Sequence, residues 1–306
     1  MAMKRWPKDR PFHQSDFSTF LTCKWQFKLS RLDEVEPEAR SIALVNGSAV
    51  HETIHILHTQ NAWKHYADVF DEEWDEQLKR DIELPLVGEE KTEKLKVESK
   101  ELIANYIPKN KDLDVVYSEV HFGDMIGKYA TRGIMDQVIW TKGGKWLLRD
   151  LKTDAQAPAL DYLMKNYQFG MYSHALLRGY LELPGGERVN IGQMPMVSWY
   201  QLRNLVPYKR KSTKGGITYN AGDLRGDPNM VVPITEEHMP YFESEIKKMI
   251  QQIRFGIFYR EPRKTGSCVG FCRYTNACDK GVCSNCDYME DDFTCEDFVP
   301  ALERSA

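Results

Sequence analysis

The chain has 306 residues, a formal net charge of −4 at pH 7 and 42% hydrophobic residues. That length is enough for one large domain or two smaller ones with a buried core. No apolar run approaches the roughly 20 residues that a membrane span needs, and the basic N-terminus lacks the apolar segment of a secretory signal. The acidic balance argues against a passive nucleic-acid coat, since such proteins are usually basic overall. We therefore expect a soluble, cytoplasmic protein with no membrane partner.

Hydrophobic periodicity predicts helices in the first third of the chain and strands after it. Four helices are expected over residues 15–32, 47–61, 66–79 and 91–106. Three consecutive strands follow at 115–122, 129–140 and 145–153, then a helix at 158–181, a strand at 193–202 and a helix at 236–255. The pattern predicts an α/β (α+β) fold in four parts: an N-terminal helical part (1–110), a strand-rich core (111–205), a basic loop with the last helix (206–260) and a cysteine-rich segment (261–306).

Two aspartates lie symmetrically about Gly143, because Asp136 and Asp150 are the same number of residues from it. If the flanking strands turn at residues 142–144, the two carboxylates face each other with Cβ atoms roughly 5 Å apart. Such like charges suit a divalent cation, which is held by one or two carboxylates with waters and phosphate oxygens. Strand alternation places Lys152 beside Asp150 and turns Leu151 into the core. The pattern indicates metal-dependent hydrolysis of phosphodiester bonds.

Further motifs accompany the hairpin in a fixed order. Gly47-Ser-Ala-Val-His51 precedes it and Gln168-Phe-Gly-Met-Tyr172 follows it, and one early cysteine, Cys23, is matched by a late group, Cys268, Cys272 and Cys278. Together these motifs resemble the PD-(D/E)XK nuclease superfamily, and specifically its RecB-like branch with an iron–sulfur cluster. The resemblance implies a restriction-endonuclease-like core with a mixed central sheet flanked by helices. It also implies a DNA exonuclease similar to the CRISPR-associated and phage RecB-like exonucleases, with single-stranded ends as substrate.

The resemblance also assigns a metal site. It implies that His51, Asp136, Asp150 and the carbonyl of Leu151 bind Mg²⁺ or Mn²⁺. An imidazole among oxygen ligands favours Mn²⁺ as the activator. Glu119 on the preceding strand is a candidate additional contact, although a solvated side chain is the simpler expectation.

Three further side chains are expected to act on the substrate. Lys152 orients the attacking water or stabilises the transition state, and the nearby carboxylates favour its protonated form. Gln168 and Tyr172 lie four residues apart on one helical face, where they could position the base or sugar of the cleaved strand. Plain core packing is the competing interpretation for both, and is more natural for Tyr172.

Seven cysteines, six of them between Cys268 and Cys295, indicate metal ligation rather than a disulfide framework. The resemblance assigns a 4Fe-4S cluster to Cys23, Cys268, Cys272 and Cys278. The first C-terminal gap holds three residues where the family usually has two, and Lys24 follows Cys23 where a proline is common. A zinc ribbon that includes Cys283 and Cys286 therefore remains the alternative.

Two other functions compete with the nuclease. The sequence His51-Glu52-Thr-Ile-His55 matches a zinc metalloprotease helix, with Glu73 or Glu76 as third ligand, but it leaves the aspartate hairpin unexplained. A non-catalytic DNA-binding module with a zinc ribbon is the other alternative. His55 and His58 are expected to be ordinary side chains of a surface helix.

Basic clusters could follow a phosphate backbone or lie on a solvated surface. They are Lys209-Arg210-Lys211 with Lys214, and Arg260 with Arg263-Lys264. The expected partner is DNA, with recombination or CRISPR-adaptation proteins as further candidates.

Overall fold

A computed structural model describes residues 5–80, 84–154, 158–214, 217–258 and 274. Its α-helices are α1 (Gln14–Thr22), α2 (Lys24–Arg31), α3 (Ile42–Gln60), α4 (Tyr66–Lys79), α5 (Thr92–Asn110), α6 (Leu160–Leu163), α7 (Tyr167–Arg178) and α8 (Met239–Phe255). Its strands are β1 (Phe12–His13), β2 (Arg40–Ser41), β3 (Leu86–Val87), β4 (Val115–Ile126), β5 (Tyr129–Trp140), β6 (Trp146–Lys152), β7 (Tyr180–Glu182), β8 (Arg188–Val189), β9 (Met196–Gln201), β10 (Ser212–Lys214), β11 (Ile217–Tyr219) and β12 (Asn229–Val232).

The main sheet is mixed and has the strand order β12-β9-β6-β5-β4-β7-β8, with β1 paired to the start of β5. Strands β6 and β9 run parallel, as do β1 and β5, whereas the other neighbours in this sheet run antiparallel. Helices cover both faces of the sheet. The predicted α/β class with a mixed central sheet flanked by helices is therefore confirmed.

Tight turns join the three central strands. The β4–β5 hairpin closes over Gly127 and Lys128, because Ile126 pairs with Tyr129, and Gly127 has the positive φ of 65° that such a turn favours. The predicted turn after β5 is confirmed: the N–H of Thr141 donates to the carbonyl of Lys145, and Gly144 has a φ of 69°. These turns fix which residues lie opposite each other across β4, β5 and β6.

Two apolar cores lie on the two faces of the sheet. One buries side chains of α1, α2, α7 and α8, such as Phe17 and Phe242, against Val138 and Leu148. The other buries side chains of α3, α4 and α5 against Leu151 and neighbours on β9, including Ile54, Trp74, Tyr106 and Tyr200. The alternation of Leu148 and Leu151 between the two cores follows from the two-residue period of a strand.

Several predicted boundaries were wrong for local reasons. The helix expected over residues 15–32 is two helices, because Cys23 is extended (φ −162°, ψ 114°) and begins α2 as its N-cap. The helix expected over 158–181 is broken at Asn166, whose side chain accepts the N–H of Gln168 at 2.8 Å and caps α7. Residue 181 belongs to β7 instead. The helix at 66–79 has the predicted bounds.

None of the helices within the described ranges has the length and apolar character that a bilayer crossing requires. The predicted cysteine segment, including Cys268, Cys272, Cys278, Cys283, Cys286 and Cys295, lies outside the described residues. So does the basic cluster Arg260, Arg263 and Lys264.

Candidate active site

The two hairpins bring three acidic residues into one row across the sheet. Glu119 lies opposite Asp136, because the neighbouring pairs of β4 and β5 are Ser118 with Gln137 and Val120 with Met135. The last β5–β6 pair is Gln137 with Arg149, so the next position sets Asp136 opposite Asp150, as the sequence predicted. The carboxylate of Asp136 accepts the backbone N–H of Leu151 at 2.6 Å at this point.

The first half of the site is formed by His51, Glu119 and Asp136. The Nδ1 atom of His51 on α3 lies 3.6 Å from Glu119 Oε1 and 3.7 Å from Asp136 Oδ2. One ligand atom from each of the three residues lies within 4.8 Å of the others. A nitrogen and two carboxylate oxygens at these separations can share one cation.

The charged groups of this trio shift one another's pKa values. Burial lowers the pKa of His51, but the carboxylates of Asp136 and Glu119 outweigh burial and raise it above its ordinary value. Burial raises the pKa of Asp136, Glu119 raises it further, and His51 and Lys152 oppose both effects. The site thus concentrates negative charge that a cation would stabilise.

The second half of the site is built around Asp150, whose side chain is fully buried. Its Oδ1 accepts the Nε2 of Gln168 at 3.0 Å, and Lys152 Nζ lies 2.6 Å from its Oδ2. Burial, with a smaller contribution from Asp136, raises the pKa of Asp150 to about 6, although Lys152 opposes the shift. Lys152 is thereby held on the same side of β6 as Asp150.

Lys152 carries a stable positive charge. Burial lowers its pKa, but Asp150 and Asp136 outweigh burial and raise the pKa above that of an ordinary lysine. Its ammonium also lies 5.4 Å from the ring centroid of Trp199. The direction of this shift agrees with the expected electrostatic role.

Gln168 and Tyr172 lie on one face of α7, but only Gln168 reaches the carboxylates. The Nε2 of Gln168 also donates to the hydroxyl of Tyr172 at 2.8 Å. The Tyr172 ring is 2% exposed and packs edge-to-face on Phe122 at 5.5 Å. Tyr172 therefore orients Gln168 from within the core.

The residues present fit a divalent cation. The donor set is one imidazole and two carboxylates, which suits Mg²⁺ or, with its nitrogen, Mn²⁺. Asp150 is already paired with one cation, because its Oδ2 lies 2.6 Å from the Lys152 ammonium.

Glu119 is a member of the trio that the sequence placed only as a marginal candidate. Its backbone is left-handed (φ 48°), which is strained for a residue with a side chain. Asp136 and Asp150 are equally far in sequence from Gly143. In the same way, Glu119 and Asp136 are equally far from the turn at Gly127 and Lys128. The predicted strand ended at residue 122, so that symmetry was not visible from the sequence.

The metalloprotease set is not brought together. Within the described part of the chain, His51 joins a candidate metal-binding group with Glu119 and Asp136, and that group contains neither Glu52 nor His55. The predicted ligand Asp150 also lies outside this group and is paired with Lys152. Burial and then the charge of Glu52 raise the pKa of Glu73 on α4, so Glu52 faces that helix. His58 is not an ordinary surface side chain, because its Nε2 lies 2.8 Å from the hydroxyl of Tyr106.

Cys23 is half-buried between α1 and α2, where its Sγ accepts the N–H of Gln26 at 3.4 Å. The helices on either side hold Phe20 and Phe27, and Phe258 packs on both rings with centroids 6.4 and 5.8 Å away. Phe258, which packs on α1 and α2, is ten residues before Cys268 in the sequence.

Comparisons with known proteins give a family match and likenesses among solved structures. The sequence model of the PD-(D/E)XK nuclease superfamily matches residues 11–279. No protein with a curated description matches the sequence significantly. Among solved structures, the crystal structure of SSO0001 matches with a TM-score of 0.32 and 12% identity, covering 86% of this chain and 96% of that chain. Nothing about substrate follows from a likeness at that level.

Proposed function

The chain belongs to the PD-(D/E)XK nuclease superfamily, and from that premise we propose that it is a metal-dependent DNA exonuclease. Its substrate is a single-stranded DNA end, in recombination or repair, phage replication or CRISPR adaptation. The observation that carries the proposal is the apposition of His51, Glu119 and Asp136 beside the Asp150–Lys152 pair. A buried ammonium and a cluster of carboxylates in one place suit phosphodiester hydrolysis.

We propose that His51, Glu119, Asp136 and Asp150 hold Mg²⁺ or Mn²⁺, with the carbonyl of Leu151 as a further ligand. A cation bound there supplies positive charge against the phosphate oxygens and makes a water molecule more acidic. The Leu151 N–H keeps Asp136 oriented, since it donates to the Oδ2 of that residue. The site is thereby arranged before the substrate arrives.

Lys152 acts as an electrostatic catalyst. Its protonated ammonium stabilises the charge that develops on the scissile phosphate and orients the attacking water. Gln168 keeps Asp150 in place and contacts the nucleotide next to the cleaved bond. Tyr172 acts through Gln168, because its hydroxyl accepts from the same amide and its ring is in the core.

We also propose a 4Fe-4S cluster held by Cys23, Cys268, Cys272 and Cys278. The packing of Phe258 on Phe20 and Phe27, which flank Cys23 in the chain, supports it, because Cys268 follows only ten residues later. Cys23→Ser should bleach the brown colour, remove iron and sulfide and lower the melting temperature. A Cys23→Ser protein with full iron content would exclude Cys23 as a ligand, and zinc without iron would favour the zinc-ribbon alternative.

The nuclease proposal is tested with labelled single-stranded DNA and Mn²⁺. Asp150→Ala and Lys152→Ala should each abolish cleavage while circular dichroism and melting remain those of a folded protein. Lys248→Ala, which removes an exposed ammonium on α8, is the matched control and should cleave normally. Full activity in either active-site variant would refute the mechanism.

A second pair of variants separates the nuclease from the metalloprotease. His51→Ala should weaken Mn²⁺-dependent cleavage, whereas Glu52→Gln should leave it nearly unchanged. In a metalloprotease Glu52→Gln should abolish activity, since Glu52 would be the general base. Zinc-dependent proteolysis that disappears in Glu52→Gln would overturn the proposal.

A further inference from the structure

A pair of stacked tyrosines, Tyr208 and Tyr219, lies in the segment that follows β9, the strand beside β6. Strands β6 and β9 are parallel, and Lys152 pairs with Gln201, the last residue of β9. A short 3-10 helix, Leu202–Leu205, follows at once and leads to Tyr208. Because neighbouring parallel strands leave a sheet at the same edge, this segment emerges beside Lys152.

The backbone of Tyr208 is fixed on both sides. Its N–H donates to the carbonyl of Asp223 at 2.9 Å, and its carbonyl accepts the N–H of Gly222 at 2.8 Å. Its ring stacks on Tyr219 with centroids 4.7 Å apart and planes 21° apart. Both rings are half-buried and neither belongs to the two apolar cores. The pair forms a rigid aromatic platform outside the core.

The platform borders a cavity of about 250 Å³ with surplus positive charge. Two carboxylates in its lining are neutralised: Glu98 by Arg203 at 3.0 Å and Glu101 by Lys209 at 2.6 Å. Two cations in the same lining, Arg210 and Arg225, form no ion pair with any described residue. The guanidinium carbon of Arg225 lies 5.1 Å from the centroid of the Tyr208 ring.

We propose that this platform is a binding subsite for an unpaired nucleic-acid strand that enters or leaves the active site. A base stacks against the Tyr208–Tyr219 pair, and backbone phosphates lie against Arg210 and Arg225. Aromatic faces with nearby guanidinium groups bind single strands with little sequence preference, because every base has a π-face. A paired duplex has no free base face to offer. The proposal rests on the proposed nuclease function and gives it a structural source of single-strand preference.

Binding is measured separately from cleavage. In chelator, the anisotropy of a labelled oligothymidylate of about 16 nucleotides reports affinity without hydrolysis. Tyr208→Ala should bind it about tenfold more weakly than the unmodified protein, whereas Tyr208→Phe, which keeps the stacking face, should bind nearly as well. Tyr241→Ala removes a tyrosine that is 49% exposed on α8 and is the matched control. Arg225→Gln should reduce the dependence of log affinity on log salt by about 0.7, as expected for one lost phosphate contact.

Two further measurements decide between outcomes. Hydrolysis of bis(p-nitrophenyl) phosphate, which is too small to span both sites, should be unchanged in Tyr208→Ala; its loss would show a structural role and overturn the subsite. Unchanged oligothymidylate binding, or an equal loss for duplex DNA, would overturn it as well. If Tyr208→Ala melts early, Arg225→Gln decides, because it alters an exposed side chain. If the unmodified protein hydrolyses no phosphodiester, the proposed function fails, while binding in chelator still tests the subsite.

Discussion

His58 on α3 makes the protein sensitive to acid. Its Nε2 lies 2.8 Å from the Tyr106 hydroxyl, which also accepts the Nε2 of Gln137 at 2.9 Å. A neutral Nε2 can accept the proton of the Tyr106 hydroxyl, whereas a protonated imidazole can only donate. Burial, followed by the charges of Arg149 and His55, lowers the pKa of His58 from 6.5 to about 4.

The sign and size of the effect follow from that pKa. In the unfolded chain His58 takes up a proton as the pH falls below about 6.5, whereas in the folded chain it stays neutral until about 4. The unfolded state thus gains a proton that the folded state cannot bind. The free energy of unfolding should fall by about 2–3 kcal/mol from this residue alone as the pH drops from 6.5 to 4, after allowance for partial solvent exposure.

The substitution that isolates the effect is His58→Gln, which keeps a hydrogen-bonding group but cannot titrate. Urea unfolding in chelator at a series of pH values gives the free energy of unfolding for both proteins. The free energy of unfolding of the unmodified protein, relative to that of His58→Gln, should fall by about 2–3 kcal/mol between neutral pH and pH 4. His65→Gln, at a side chain that is 75% exposed, is the control. A constant difference between His58→Gln and the unmodified protein would refute the reasoning.

Three other substitutions test the site and the core. Asp150→Asn should raise the melting temperature in chelator, because the raised pKa of Asp150 shows that burial and Asp136 outweigh its ion pair with Lys152; a lower melting temperature would contradict this. Glu119→Gln should weaken Mn²⁺ binding, measured by calorimetry, at least tenfold without loss of fold, and unchanged affinity would remove Glu119 from the ligand set. Gly170→Ala should cost about 2 kcal/mol or more in urea unfolding, since its Cβ would lie 2.3 Å from the ring of Phe242. Gly143→Ala, with its nearest atom 3.8 Å away, is the control and should be close to neutral.

The parts of the fold that the sequence predicted are those with a strong local signal. Residues 66–79 form a helix with the predicted bounds, and the turn at 141–145 sets the register of Asp136 and Asp150. Both features follow from short-range periodicity and turn chemistry. The small strands β7 and β12 pair with strands distant in sequence, β4 and β9, and were not predicted; the short β7–β8 hairpin was not predicted either.

The residues of the candidate site also divide into those with a local sequence signal and those that depend on distant contacts. Asp150 and Lys152 are two residues apart on one strand, so strand alternation alone places them together. The position of Glu119 opposite Asp136 depends on the full length of β4. The last four residues of that strand lack a clear hydrophobic alternation, so the sequence did not predict them as strand. The neutral state of His58 depends first on burial and then on the charges of Arg149 and His55, and no local pattern contains its burial or the approach of the distant Arg149.

The packing of the earliest and latest described segments has a consequence during synthesis on the ribosome. Trp6 and Phe12 share one core with the apolar face of α8, and Arg254 on that helix donates to the carbonyl of Lys8 at 3.1 Å. The same helix seats Phe242 against α7, the helix that carries Gln168. A nascent chain that already contains every proposed active-site residue therefore cannot complete its core until α8 has emerged. We expect a nascent chain that lacks α8 to be unable to cleave DNA, because α7 acquires its final position only after α8 has been synthesised.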